Sequence, residues 1–201
     1  MLLLATDIDK QLERVFVKLK KFSPSDQEGS RIVREVALNN LAQMRDRIQN
    51  RGEASAGGDI GTYSKKPIYV PVDEMVGKKL KPEGKNFKGK RRSTFASGKR
   101  KGKPHKSRYF EDGYEGYKNE IGRNTLGKVN LTLSGQFFNQ MQLFPTSKGW
   151  GIGWSNSAML KRAKGFESSD YFGKKIFSPT RKERSSAVSL AKKLTEDAIS
   201  R

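Results

Sequence analysis

The sequence predicts an α+β fold: a small antiparallel sheet with a β-hairpin, packed by N-terminal and C-terminal helices and carrying a long basic extended insert. Three observations carry this prediction. Apolar residues recur at helical spacing near both ends of the chain. Alternating apolar residues and a Pro-Thr-Ser-Lys-Gly stretch lie between residues 129 and 154. The segment between these regions is dense in Lys and Arg and poor in apolar residues.

Taken in order, residues 8 to 22 place Ile8, Leu12, Val15, Phe16 and Leu19 on one helical face, with Lys10, Arg14, Lys18 and Lys20 largely opposite. Ser23-Pro24-Ser25 breaks this helix, because proline cannot continue a helix interior and serine can cap a new one. From Ser30 the stripe resumes as Val33, Val36, Ala37, Leu41, Met44 and Ile48. It predicts a second helix that stops at Arg51-Gly52 and passes into a glycine loop. Residues 67 to 72 are β-prone but framed by Pro67 and Pro71, which suits an edge strand or extended arm.

Residues 77 to 108 hold 14 Lys or Arg against the single acid Glu83, which is +13 of the chain's +20 and leaves +7 elsewhere. Five glycines, two prolines and only Leu80, Phe87, Phe95 and Ala96 as apolar residues cannot offset the entropy of ordering this stretch. It is expected to be an arm that orders against a partner.

After a polar stretch with Tyr109, Tyr114 and Tyr117, the alternation of Val129, Leu131 and Leu133 predicts a half-buried strand, broken at Ser134-Gly135. Phe137, Phe138, Met141, Leu143 and Phe144 predict a short helical turn leading into a strand. Residues 145 to 149 then read as a hairpin loop into Trp150, Ile152 and Trp154, which share one face at period two. Ser157 to Lys164 reads as a brief helix closed by Gly165. Thr180, three residues before Glu183, predicts a capping box opening a C-terminal helix packed on the sheet. That helix presents Ala187, Val188, Leu190, Ala191, Leu194 and Ala198 on its face.

At 201 residues, with 34% hydrophobic residues and a mean hydropathy of -0.78, the chain suits one α+β domain with a segment left outside its core. The expected division is a domain of residues 1–72 and 123–201 with a basic insert over 73–122. A charge of +20 demands a polyanionic partner, nucleic acid or an acidic protein surface. The absence of cysteine excludes disulfides and thiolate chemistry, and an intracellular setting is expected. Met1 to Ala5 falls far short of a signal peptide or a membrane span, so a chain neither secreted nor membrane-embedded is expected.

Catalysis finds little support. His105 is the only histidine, lies in the basic segment and has no acid within five residues, so it reads as solvated or phosphate-contacting. Glu111, Asp112, Glu115 and Glu120 are interrupted by Gly113 and Gly116 and lack the spacing of a calcium loop. They read as acids offsetting the neighbouring cations, with a two-metal nuclease as the sharper alternative. The glycine-rich 149–154 stretch lacks a phosphate-loop pattern, and its tryptophans read as core residues before base-stacking ones. The sequon at Asn130 reads as chance within a strand. No catalytic residue, metal site or cofactor is expected.

The candidate contacts are therefore Lys78, Lys79, Lys81, Lys85, Phe87, Lys88, Lys90, Arg91, Arg92, Phe95, Lys99, Arg100, Lys101, Lys103 and Arg108. Their cations suit DNA phosphates or an acidic neighbouring subunit, and the two phenylalanines suit a base or a partner's pocket. A soluble tail is the bland alternative.

Three stretches, in order, resemble the phage virion-morphogenesis and tail-completion family of head-tail joining proteins. The first is "ALNNLAQMRDRIQNRGEASAGGDIGTYSKKPIYV" at 37–70, a helix followed by a segment of the Gly-x-x-Ile-Gly-x-Tyr-Ser kind. The second, "VNLTLSGQFFNQMQLFPTSKGWGIGWSN" at 129–156, is similar to the family's strand, turn and hairpin. The third, "YFGKKIFSPTRKERSSAVSLAKKL" at 171–194, is similar to its closing segment and capped helix. Together they cover roughly half the chain. The family's Pro-Ala-Arg-Pro-Phe is reduced here to Gly173-Lys174-Lys175-Ile176-Phe177, and residues 73–122 have no counterpart in the resemblance.

The resemblance implies a non-catalytic virion protein that forms a homo-oligomeric ring in the neck between capsid and tail, after assembly in the host cytoplasm. Portal and other neck or tail proteins would be its partners, with packaged double-stranded DNA a further contact for the arm and no membrane involved. A ring's heterologous interface needs two different adhesive surfaces on each subunit. The alternative is a free-standing nucleic-acid-binding protein of ribosomal or nucleoid type, which the charge alone favours.

Overall fold

The structure, a computed structural model, describes residues 27–71, 98–99, 101–102, 107–123, 127–132, 135–146, 149–168 and 170–200. The helix predicted over 8–22 and His105 lie outside the described residues. The fold is α+β, with helices and, among the described residues, two antiparallel two-stranded sheets. The chain divides into two compact units, Met1–Ile60 with Gly135–Arg201, and Gly61–Ser134. The boundaries expected at 73 and 122 both fall inside the second unit, which takes in the 68–71 strand and the 129–132 segment.

In the first unit, α1 (Gln27–Asp46) forms because its apolar residues recur every three or four positions. Ile32, Val36 and Met44 are fully shielded from solvent, each contributing roughly 1.5–3 kcal/mol. The helix widens into one π-turn, Arg47–Arg51, and Gly52 ends it at φ 63°, where its N–H reaches the carbonyls of Arg47 and Ile48. The predicted helix and its glycine stop are both present.

The hairpin pairs β3 (Met141–Thr146) with β4 (Gly149–Trp154). Pairing runs out to Thr146↔Gly149, so Pro145, Thr146 and Gly149, expected in the loop, belong to the ladder. The short helix α3 (Gln136–Asn139) precedes it and buries Phe137 and Phe138. Trp154 and Ile152 are buried, and the Trp154 indole donates to the Phe137 carbonyl at 3.1 Å while its ring meets Phe177 edge-on.

Helix α4 (Ser157–Glu167) starts at Asn156, whose side chain accepts from the Ala158 N–H at 2.8 Å. It runs beyond the expected stop because Gly165 takes helical geometry and the turn closes at Ser168. Helix α5 (Arg181–Ile199) opens with the predicted capping box. The Thr180 hydroxyl accepts from the Glu183 N–H at 3.1 Å, and the Glu183 carboxylate accepts from the Thr180 N–H at 2.6 Å. The helix was expected on the sheet; it packs chiefly on α1, with Ala187 and Ala191 against Ile32, Val33 and Val36. Alanines allow the two helices to approach closely, and Trp150 is the strand residue that joins this cluster.

The second unit pairs β1 (Ile68–Pro71) with β2 (Ser107–Phe110) and adds α2 (Gly113–Glu120). Pro71 sits at the end of the ladder opposite Ser107, where its missing N–H costs least. Val70, Phe110 and Tyr117 form the buried centre. Gly113 has φ 62° and lies so close to the 64–66 backbone that a Cβ would stand 2.6 Å from the Ser64 oxygen. The strand expected over Val129, Leu131 and Leu133 is absent from 129–132: Leu131 has φ 52°, which no strand accepts, and the segment is held by side chains instead.

Candidate polyanion and partner interface

Of the candidate contacts, the structure describes Lys99, Lys101 and Arg108. Lys78, Lys79, Lys81, Lys85, Phe87, Lys88, Lys90, Arg91, Arg92, Phe95, Arg100 and Lys103 lie outside the described residues. Lys99 and Lys101 are exposed beside a turn closed by the Lys101 N–H on the Gly98 carbonyl at 3.1 Å. Arg108 is placed differently, inside β2 opposite Val70. Its guanidinium lies 5.5 Å from the centre of the Phe110 ring and forms an ion pair with Glu120. Its charge is therefore largely matched within the unit.

Two of the nearby acids are matched in the same way. Glu120 meets Arg108 and Glu115 meets Lys65 at 3.6 Å, while Glu111 and Asp112 are exposed in the turn before α2. Among the described residues, no three His, Cys, Asp or Glu side chains converge as a metal site.

Sequence reasoning missed a buried polar cluster centred on Lys118. Nothing in the sequence marks this lysine out, yet it is only 1% exposed. Its ammonium donates to Asn130 Oδ1 at 3.3 Å and to the Thr132 carbonyl, and lies 5.0 Å from the centre of the Tyr63 ring. The Tyr63 hydroxyl donates to Asn130 Oδ1 at 2.8 Å and accepts from the Asn130 N–H at 3.1 Å. Asn130, read from sequence as a stray sequon in a strand, is instead the hub that fixes 127–132 without a strand. No local pattern announces such a cluster, because Lys118 and Tyr63 lie 12 and 67 residues from Asn130.

Burial, with a smaller contribution from the charge of Arg123, lowers the Lys118 ammonium to about 8 from 10.5. Burial also raises the Tyr63 hydroxyl above 10.0. Below pH 8 Lys118 is charged whether folded or unfolded, and the cost of burying it is fully present. As pH rises from 8 towards 10.5 the folded lysine sheds its proton first, so the second unit is expected to gain stability. Above pH 10 the neutral buried Tyr63 opposes ionisation, and its contribution is lost. Tyrosine near-ultraviolet circular dichroism, followed through urea titrations at each pH, should show this rise and fall, and Lys118→Met should abolish the rise.

The first unit contains a second buried charge that the sequence did not announce. Arg47 and Glu183 are 2% and 4% exposed and meet at 2.8 Å. The Arg47 guanidinium also donates to the carbonyls of Glu53, Ile176 and Ser178 at 2.7, 3.0 and 3.1 Å. Above it opens a cleft of about 810 Å³. Its rim cation Arg51 faces Asp46 and Glu53 at 3.7 and 3.5 Å, and the exposed Arg181 and Lys182 also line it.

The tryptophans fall on the core side of the two readings offered by sequence. Trp154 is 5% exposed, which leaves no face for a base. Trp150 is half-buried between α1 and α5, with the Arg34 guanidinium 5.6 Å from its ring centre.

No family model, no curated protein and no solved structure matches this chain.

Proposed function

We propose that this chain is a non-catalytic structural protein of a tailed bacteriophage, forming a ring in the neck between capsid and tail, with residues 77–108 contacting DNA or a neighbouring subunit. The observation that carries this reading is the division of charge: +13 in 32 consecutive residues against +7 in the remainder. A charge density of that kind needs an anionic surface to lie against.

The resemblance to head-tail joining proteins gains support from where its three stretches fall. The first runs through α1, its Gly52 stop and β1; the second covers α3 and the hairpin; the third ends in the capped helix α5. Negative-stain imaging of the purified, nuclease-treated chain, alone and with a portal protein, tests the proposal. Rings are expected, and a field of monomers in both samples would refute it.

The charge also favours a second reading, a free-standing nucleic-acid-binding protein of ribosomal or nucleoid type. Such a protein would stay monomeric without nucleic acid and would bind it with a steep loss of affinity as salt rises.

A further inference from the structure

A second cationic surface lies on the first unit, away from 77–108 in sequence. Successive helical residues are set about 100° apart. Lys161, Arg162 and Lys164 therefore spread across the side of α4 opposite Ala163, its buried residue. All three are exposed, and none has an ion-pair partner among the described residues. Elsewhere in this unit exposed helical cations are of both kinds: Arg31 is matched by Glu28 and Glu35 and Lys192 by Glu196, while Arg34, which lies over Trp150, and Arg181, Lys182 and Lys193 form no ion pair among the described residues.

The one acid of α4 does not face this side. A Glu167 carboxylate oxygen accepts from the N–H groups of Ile176 and Phe177 at 2.7 and 2.8 Å, so its charge is turned to the backbone. Small residues fill the rest of the cationic face, and a Cβ added at Gly165 would meet nothing within 4 Å. At the C-terminal end of the helix stands Tyr171, 67% exposed, with its ring 6.1 Å from that of Phe166.

Two bland explanations cover part of this. Cations near a helix C-terminus complement its dipole, and exposed lysines aid solubility. Neither explains an uncompensated cationic face beside an aromatic ring left two-thirds in water.

We propose that the outer face of α4, with Tyr171, is a nucleic-acid contact separate from 77–108, binding the sugar-phosphate backbone without reading sequence. Phosphates suit the three cations, the open small residues allow close approach, and the exposed ring offers a platform for an unpaired base. An acidic protein would need the cations but not the ring. This inference holds whether or not the chain belongs to a phage neck.

The test uses the full chain carrying Lys161→Gln, Arg162→Gln and Lys164→Gln together. Glutamine keeps helix propensity at exposed positions, and an unchanged circular dichroism melt verifies folding. The slope of log affinity against log salt for a mixed-sequence DNA duplex should become shallower by about 2 to 3, since each neutralised phosphate contributes about 0.9. In the unaltered chain, duplex should protect Lys161 and Lys164 from acetylation by an activated ester. Tyr171→Ala should weaken binding to a single-stranded oligonucleotide by roughly 5- to 150-fold, the loss of one stacked base.

An unchanged duplex slope with both lysines acetylated as fast as in free protein would overturn the proposal. So would an unchanged slope accompanied by weakened binding of poly-glutamate, which would assign the face to an acidic protein. Undiminished single-strand binding by the Tyr171→Ala chain would remove the aromatic part of the site.

Discussion

Replacing Arg47 with methionine is expected to destabilise the first unit by about 3–5 kcal/mol, because it leaves a buried carboxylate without its counter-charge. The chain contains two tryptophans, Trp150 and Trp154, both in this unit, so urea unfolding followed by tryptophan fluorescence reports on it alone. Arg47 donates to Glu183 and to three carbonyls from two separate stretches of chain. Its removal thus loosens the end of α1, the 53–55 turn and the approach to α5 together. Thr180→Ala removes only the capping hydroxyl and is expected to cost about 1 kcal/mol. Combining Arg47→Met with Glu183→Met should cost less than the two single changes summed, since neither charge is then left buried alone. A loss below about 1 kcal/mol for Arg47→Met would show that the pair does not organise this unit.

Neutralising the 13 Lys and Arg from Lys78 to Lys106 is expected to remove most of the chain's affinity for duplex DNA while leaving the first unit's unfolding midpoint in place. Arg108 is left unaltered because Glu120 already meets it. If the segment neutralises 6–10 phosphates, the unaltered chain should lose roughly 10³- to 10⁵-fold in affinity between 50 and 200 mM salt. The neutralised chain should keep only the shallow dependence left by other cations, the α4 face among them. Fluorescence anisotropy with a labelled duplex across a salt series measures both curves. Equal slopes would mean that the basic segment does not touch DNA, leaving an acidic subunit as its partner.

Elements whose apolar residues repeat locally were legible in the sequence. The stripe from Val33 to Ile48, the alternation of Trp150, Ile152 and Trp154, and the Thr180 to Glu183 spacing each specify structure within a few residues. Of the second unit only β1 was legible, as the β-prone 67–72 stretch; β2 and α2 draw on tyrosines and glycines whose role depends on distant partners. Tyr109 packs its ring 5.0 Å from Tyr69 across the strand pair, and Gly113 is needed only because the 64–66 backbone lies against it. Leu131 misled in the opposite direction. Its alternation with Val129 and Leu133 suggested a strand, but the Asn130 hydrogen bonds hold 129–132 in another path. For the candidate contacts, sequence identified the charge of the basic segment but not the ion pairing of Arg108. It also passed over the α4 face, since three cations among small residues look like an ordinary solvated helix until the position of Glu167 is known.

The neck reading assigns assembly to the folded units and polyanion binding to the basic segment, so the two should separate in one molecule. Sedimentation velocity of the neutralised, nuclease-treated chain at high salt, where exposed charges are screened, measures this directly. A closed oligomer of single stoichiometry is the expected result. A monomer at every concentration, from a chain whose unaltered form sediments as a larger particle only with nucleic acid, would contradict it.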